Sequence, residues 1–221
     1  MARRLINGLD AGRVADNVAR VREDIAVSAA LSGRHPADVE MLAAIKYVAL
    51  DELEVLAGAG LGLLGENRAQ DLEAKAAAHP GAFRWHFIGQ LQSRRVRSLL
   101  PHVELIHSLA SDSASEQLGR HAPTDFEVLV EVNVAGEGSK AGILPSELRD
   151  FIARCPARVT GLMTMPPPAP DPQASRPHFA ALRELAAEHG LSRLSMGTSQ
   201  DYAVAVEEGA TIVRVGAVLF D

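Results

Sequence analysis

Three short stretches carry residue types that could do chemistry together. Lys46 stands near the end of the apolar run MLAAIKYVAL, residues 41–50. A lysine there is tolerated, snorkelled to water along its aliphatic stem, or used. Burial would disfavour its ammonium form, and a neutral amine can form a Schiff base with an aldehyde. Position alone leaves the snorkelled and the reactive readings both open. SMGTSQD, residues 195–201, lies where an apolar run hands over to a helix-like stretch. Its small residues let backbone amides approach an anion, and Ser195, Thr198 and Ser199 can donate hydroxyl hydrogen bonds; a plain helix N-cap would look the same. TIVRVGAVLF, residues 211–220, holds Arg214 inside a β-branched run that ends at Gly216. An arginine there is costly unless it is paired, so it must face a partner or an open mouth. The amides of Gly216 and Ala217 could complete a phosphate cradle. A lysine amine, an anion cradle and an inward arginine together point to pyridoxal 5′-phosphate, a far more specific inference than any of the three alone.

The elements that must position these residues are legible as a rhythm. Residues 11–31 carry Val14, Val18, Val21, Ile25 and Val27 at mostly helical spacing, so an amphipathic helix is expected, ended by SGRHP at 32–36. Apolar runs then follow at 41–46, 61–66, 84–89, 103–109, 126–134, 158–165, 193–197 and 211–216, with helix-like stretches between them. Eight strands alternating with helices indicate βαβ units and a parallel sheet. In a chain of 221 residues they suit a single-domain (β/α)8 TIM barrel over residues 1–221, with residues 1–35 as a helical segment packed on the outside. A doubly wound open sheet is the alternative. MPPPAPDPQASRP, residues 165–177, has six prolines and reads as a long loop after strand six, on the C-terminal face or simply at the surface.

Composition narrows the function classes. The net charge of −6 argues against a nucleic-acid or anionic-membrane binder. The one cysteine, Cys155, excludes an internal disulfide framework and a cysteine-based metal cluster. No apolar run approaches the ~18 residues of a membrane span, and the N-terminus lacks a signal-peptide pattern, so a cytoplasmic protein is expected. GLGLLG at 60–65 matches a dinucleotide fingerprint literally but is itself the second strand, and no acidic residue lies between Glu73 and Glu104. GEGSK at 136–140 lacks the order of a phosphate loop. Arg94, Arg95 and Arg97 could touch phosphates or form a solvated helical turn, and the histidines show no metal-ligand spacing.

With these residues placed, the chain resembles the pyridoxal phosphate homeostasis protein family, relatives of the N-terminal barrel of alanine racemase. The resemblance runs from about residue 40 to the end. It rests on Lys46 closing strand one, GENRAQD (65–71), WHFIGQLQS (85–93), NVAGEGSKAGI (133–143), GLMTMPP (161–167), SMGTSQDY (195–202) and VRVG (213–216). It implies that Lys46 holds the cofactor as a Schiff base and that Arg214 faces the pyridine nitrogen. It further implies that Ser195, Gly197, Gly216 and Ala217 surround the phosphate, and that Asn67 lies beside the ring or its 3-hydroxyl. Arginine at the ring nitrogen discourages protonation there and weakens the cofactor as an electron sink. Lys140 matches a lysine of the family's N-SK-G loop and would be a second, non-covalent partner. Two departures stand out: Val48 replaces a frequent second lysine, and LQSRR replaces LQ-x-N-K, which removes accessory lysines at those positions.

Two functions follow. The first is a non-catalytic carrier of pyridoxal phosphate in vitamin B6 and amino-acid homeostasis, monomeric, with apo forms of phosphate-cofactor enzymes as candidate recipients. The second is an amino-acid racemase or a related enzyme. A racemase needs acid–base groups on both faces of the substrate carbanion, and alanine racemases take the second base from a β-rich C-terminal domain. This chain stops at Asp221, directly after strand eight, and its tyrosines are Tyr47 and Tyr202. Tyr47 points away from Lys46 if the strand continues through it, unless the strand end bends. The carrier is the favoured reading. A barrel for another phosphorylated metabolite, with Lys46 acting only through its charge, is a third.

Overall fold

The computed structural model describes residues 5–136 and 141–221. Eight parallel strands close into a barrel in sequence order: β1 (Glu40–Ala44), β2 (Leu63–Glu66), β3 (Arg84–Phe87), β4 (Leu105–Leu109), β5 (Glu127–Glu131), β6 (Arg158–Met163), β7 (Arg193–Thr198) and β8 (Ile212–Val215). The pairing of β8 with β1, Leu42 opposite Arg214 and Ala43 opposite Val215, closes the ring and disposes of the open-sheet alternative. Between the strands run α2 (Leu53–Gly58), α3 (Ala69–Ala78), α4 (Val96–Leu99), α5 (Asp112–His121), α6 (Leu148–Arg154), α7 (Arg176–Glu188) and α8 (Tyr202–Glu207); α9 (Ala217–Phe220) follows β8.

Helix α1 (Ala11–Leu31) spans the residues expected from its periodicity and buries Val14, Val18, Val21 and Ile25. Asp10 caps its start by accepting the Arg13 N–H at 2.7 Å. It packs on α8 and α9, where Asn17 Nδ2 donates to the Leu219 carbonyl at 3.3 Å and the Asp221 carbonyl at 3.1 Å. The helix thus covers the β8–β1 seam. No helix among the described residues is long and apolar enough to cross a membrane.

Strand parity sorts the barrel interior. Leu42, Leu63, Leu105, Leu129, Met163 and Ile212 pack together inside it. Two residues further along their strands, the same inward faces present Ala44, His107, Glu131 and Arg214. The interior therefore turns from hydrocarbon to polar towards the C-terminal ends of the strands. At the N-terminal ends, Arg193 bridges Glu40 (3.1 Å) and Glu127 (3.0 Å), and Arg84 bridges Glu40 (3.0 Å) and Glu104 (2.8 Å). This girdle ties the starts of five strands and belongs to the stabilising face of such barrels.

Two boundaries differ from the sequence expectation. Strand β1 ends at Ala44, so Lys46 lies two residues beyond it in a turn rather than closing the strand. Residues AVLF at 217–220 form α9 instead of prolonging the apolar run of β8, because the backbone breaks at Gly216 (φ −128°, ψ −91°).

Candidate functional site

The expected site residues gather at the C-terminal mouth, most of them on β1, β7 and β8. Lys46 occupies a tight turn closed by the Val48 N–H donating to the Ile45 carbonyl at 3.0 Å. Its side chain is exposed, with Nζ 5.1 Å from the centre of the Tyr47 ring. The bend therefore brings Tyr47 beside Lys46 instead of turning it away. On the neighbouring strand, a Cβ on Gly216 would sit 3.1 Å from the Ala44 carbonyl oxygen. The backbone after β8 thus lies against the segment leading to Lys46. The Gly216 N–H donates to Ser199 Oγ at 2.9 Å, fastening the β7 loop to the end of β8. Ala217 is exposed next to it.

Gly197 has φ +89°, and a Cβ there would meet Ala205 Cβ at 2.5 Å. Glycine is needed because α8 starts directly against this strand. Thr198 is held by Asp201, whose Oδ1 accepts the Thr198 N–H at 2.7 Å and its hydroxyl at 3.1 Å. Across the mouth, Asn67 follows β2, and its buried Oδ1 has no hydrogen-bond partner. A buried amide oxygen without a donor is costly and fits a ligand that brings one. Asn67 cannot retreat, since Gly89 approaches it so closely that a Cβ would lie 2.0 Å from its carbonyl oxygen.

Arg214 is 3% exposed, its Nη1 donating to Ser195 Oγ at 2.6 Å and its Nη2 to the Thr164 carbonyl at 2.9 Å. Burial lowers its pKa to about 10, opposed by the charges of Glu131 and Asp201. Burial likewise pushes the Glu131 carboxyl up, while Arg214 draws it down. Two of the five guanidinium N–H donors are committed to these acceptors.

Ser195 is placed differently from the sequence expectation. It is fully buried, and besides Arg214 it contacts His107 Nδ1 at 2.8 Å; His107 Nε2 in turn meets His86 Nδ1 at 3.0 Å. The Ser195 hydroxyl thus lies in the barrel interior, while Ser199 stands at the mouth beside Gly216. Desolvation holds His107 well below the ordinary histidine pKa and lowers His86 to about 3, so both rings are neutral near pH 7. Arg214 can only donate, so Ser195 accepts from it; the directions of the Ser195–His107 and His107–His86 bonds are set by the histidine tautomers. His86 also lines a cavity of about 470 Å³ among Arg84, Glu104, Glu127 and Arg193 at the N-terminal face. A continuous hydrogen-bonded chain thus links His86, His107, Ser195 and Arg214 inside the barrel. Sequence reasoning missed both histidines, which contact partners 21 and 88 residues away.

Cavities open on the mouth at about 360 Å³ beside Glu131, Asn133, Thr164 and Met165, about 230 Å³ beside the proline loop, Thr198 and Asp201, and about 260 Å³ beside Asn67, Gln90, Arg94 and Arg95. Proline loop residues Pro166 and Pro168 line the first. A cavity of about 540 Å³ lies at the opposite end, between α1 and the starts of β1 and β2, far from these groups. Lys140 and most of GEGSK lie outside the described residues.

No family model matches the chain. The pyridoxal phosphate homeostasis protein of Aquifex aeolicus is 38% identical over 219 residues, covering 93% of this chain and 96% of that protein. The structure of PipY of Synechococcus elongatus with pyridoxal phosphate bound superposes with a TM-score of 0.79 at 29% identity, covering 94% of this chain and all of that one (100%). Alanine racemase of Corynebacterium glutamicum shares the barrel alone: TM-score 0.69, 15% identity, 99% of this chain and 63% of that one. Near-full-length similarity to curated relatives, on a barrel with this mouth, places the chain in the pyridoxal phosphate homeostasis protein family.

Proposed function

We propose that this chain binds pyridoxal 5′-phosphate at the barrel mouth and acts as a carrier in vitamin B6 homeostasis, without turning over a substrate. The carrying observation is the β1–β8 seam, which sets the Gly216 backbone on the Ala44 carbonyl, two residues before Lys46. When bound, the cofactor supplies an aldehyde for a lysine amine and a phosphate dianion for a cradle. Lys46 is the exposed amine for the aldehyde. Gly197, Ser199, Gly216 and Ala217 form the phosphate side, and Asn67 offers its unpartnered Oδ1 to the ring side. Arg214 would face the ring nitrogen, and Ser195 would serve by holding Arg214. A donor-only guanidinium keeps that nitrogen unprotonated, which suits holding better than carbanion chemistry. PipY, the relative with the cofactor bound, supports the ligand. Cytoplasmic residence, a monomeric state and delivery to apo forms of cofactor-dependent enzymes complete the reading.

Of the two tyrosines, Tyr202 speaks against a racemase. Tyr202 Oη donates to Asp24 Oδ2 at 2.5 Å, and burial with that bond pushes its pKa up, so it is engaged with α1 and not available as a base. Tyr47 alone among the tyrosines stands beside Lys46. Borohydride reduction followed by peptide mapping tests the ligand: a pyridoxyl adduct on Lys46 is expected, and its absence leaves Lys46 only an electrostatic role. Steady proton exchange at the α-carbon of an L-amino acid, abolished by Lys46→Ala, would overturn the carrier in favour of the enzyme.

A further inference from the structure

We propose that the buried Glu66–Lys75 ion pair is a positioning device for the Lys46 turn, with Lys75 and Glu66 as positioning residues that act through the backbone. The inference deepens the cofactor reading and rests on it for its functional consequence. Lys75 Nζ lies 2.7 Å from Glu66 Oε1, and the side chains are 9% and 0% exposed. The same ammonium donates to the Ile45 carbonyl at 3.1 Å. That carbonyl also accepts the Val48 N–H, so it is the atom that closes the turn carrying Lys46 and Tyr47 at its central positions. The second carboxylate oxygen of Glu66 accepts the N–H of Asn67 at 2.6 Å and of Arg68 at 3.3 Å. Every backbone group the pair touches is thus within one residue of Lys46 or Asn67.

Stability alone does not explain the pair. Desolvating two charges offsets most of their attraction, and well-packed apolar residues often replace a buried pair without loss. On α3, position 75 continues the buried face of Ala69 and Leu72, where a leucine or methionine would serve the packing. What an apolar residue cannot do is hold the Ile45 carbonyl. From the other side, Ile6 grips the same turn, its N–H donating to the Tyr47 carbonyl at 2.7 Å and its carbonyl accepting from Ala49 at 3.1 Å. The turn is therefore clamped between an N-terminal segment and an internal ammonium, while the Lys46 side chain itself stays exposed.

The test compares wild type with Glu66→Gln/Lys75→Met, which removes both charges while the glutamine keeps an acceptor for the Asn67 amide. Three quantities are read: the melting temperature, the dissociation constant and absorbance maximum of the pyridoxal phosphate adduct, and hydrogen exchange at the Val48 amide. Expected are a melting temperature within a few degrees of wild type, a dissociation constant raised about tenfold or more with a shifted absorbance maximum, and Val48 exchange about tenfold faster. Should the double variant not fold, Lys75→Met alone, which removes the donor to the Ile45 carbonyl, decides by the same affinity, spectrum and Val48 exchange readings. Wild-type affinity, spectrum and Val48 protection in a folded variant would overturn the proposal. If wild type itself forms no Lys46 adduct, the cofactor reading fails, and the Val48 exchange still decides whether the pair holds the turn.

Discussion

Ser195 Oγ accepts a hydrogen bond from Arg214 Nη1 at 2.6 Å and meets His107 Nδ1 on its other side at 2.8 Å. A hydroxyl held between an arginine and an imidazole inside the barrel keeps that arginine in place. Ser199, four residues on, instead receives the Gly216 N–H at the mouth. The two serines of SMGTS therefore lie in different layers of the barrel.

Ser195→Ala leaves a guanidinium N–H and an imidazole nitrogen buried without partners, and destabilises by about 1–3 kcal/mol. Ser199→Ala loses one half-buried bond and leaves folding within about 1 kcal/mol of wild type, while weakening cofactor binding. Urea unfolding and a binding titration on both variants check the contrast. Equal loss of binding with no loss of stability in Ser195→Ala would return that residue to the phosphate rim.

Arg214→Lys keeps a positive charge but not the fork. An ammonium is a compact charge without the planar, spread geometry that reaches Ser195 and the Thr164 carbonyl together. The variant is expected to lose about 1–3 kcal/mol of unfolding free energy and to bind the cofactor with an altered absorbance spectrum. Urea denaturation and visible absorbance titration measure the two effects.

Acid should weaken the fold through the histidines. His86 and His107 have folded pKa values below the ordinary 6.5, His86 at about 3. The unfolded chain therefore takes up protons first, and stability falls as pH drops from about 6.5 towards 3. His86 alone contributes a loss of roughly 2 kcal/mol by pH 5. Urea unfolding at pH 7 and pH 5 should show this loss, and His86→Phe should reduce it. An unchanged pH slope in the variant would mean that the ring is solvated in the folded protein.

Two glycines are required for steric reasons. Gly89→Ala would place a Cβ 2.0 Å from the Asn67 carbonyl oxygen, and Gly197→Ala one 2.5 Å from Ala205 Cβ on a backbone at φ +89°. Each should cost about 1–3 kcal/mol or more, and Gly89→Ala should also weaken cofactor binding by displacing Asn67. Melting curves and cofactor titration on the two variants provide the check.

Much of this molecule was legible from the chain because parallel strands buried on both faces write themselves as short apolar runs. All eight runs overlap a strand, and α1 spans Ala11–Leu31 as its periodicity requires. Element ends were less legible. Nothing in IKYV marks the turn after Ala44, and AVLF reads as more strand because its residues suit either state. Glu66 and Lys75 left a faint signal: a carboxylate closing an apolar run, and a lysine three residues after Leu72 on a buried helix face.

The sequence by itself determined the order of strands and helices and marked a lysine, a small-residue loop and an inward arginine as the chemistry-bearing parts. Hydrophobic periodicity and local residue size act over a few positions, so they survive in one dimension. Only the tertiary structure decided which serine lies inside the barrel and which at the mouth, that His86 and His107 join Arg214 in one hydrogen-bonded chain, and that Lys75 grips the carbonyl before Lys46. Those decisions depend on strand register and on closing the ring, where one residue of shift turns every side chain to the other face. Residues 88 positions apart, such as His107 and Ser195, become neighbours only once that ring is closed.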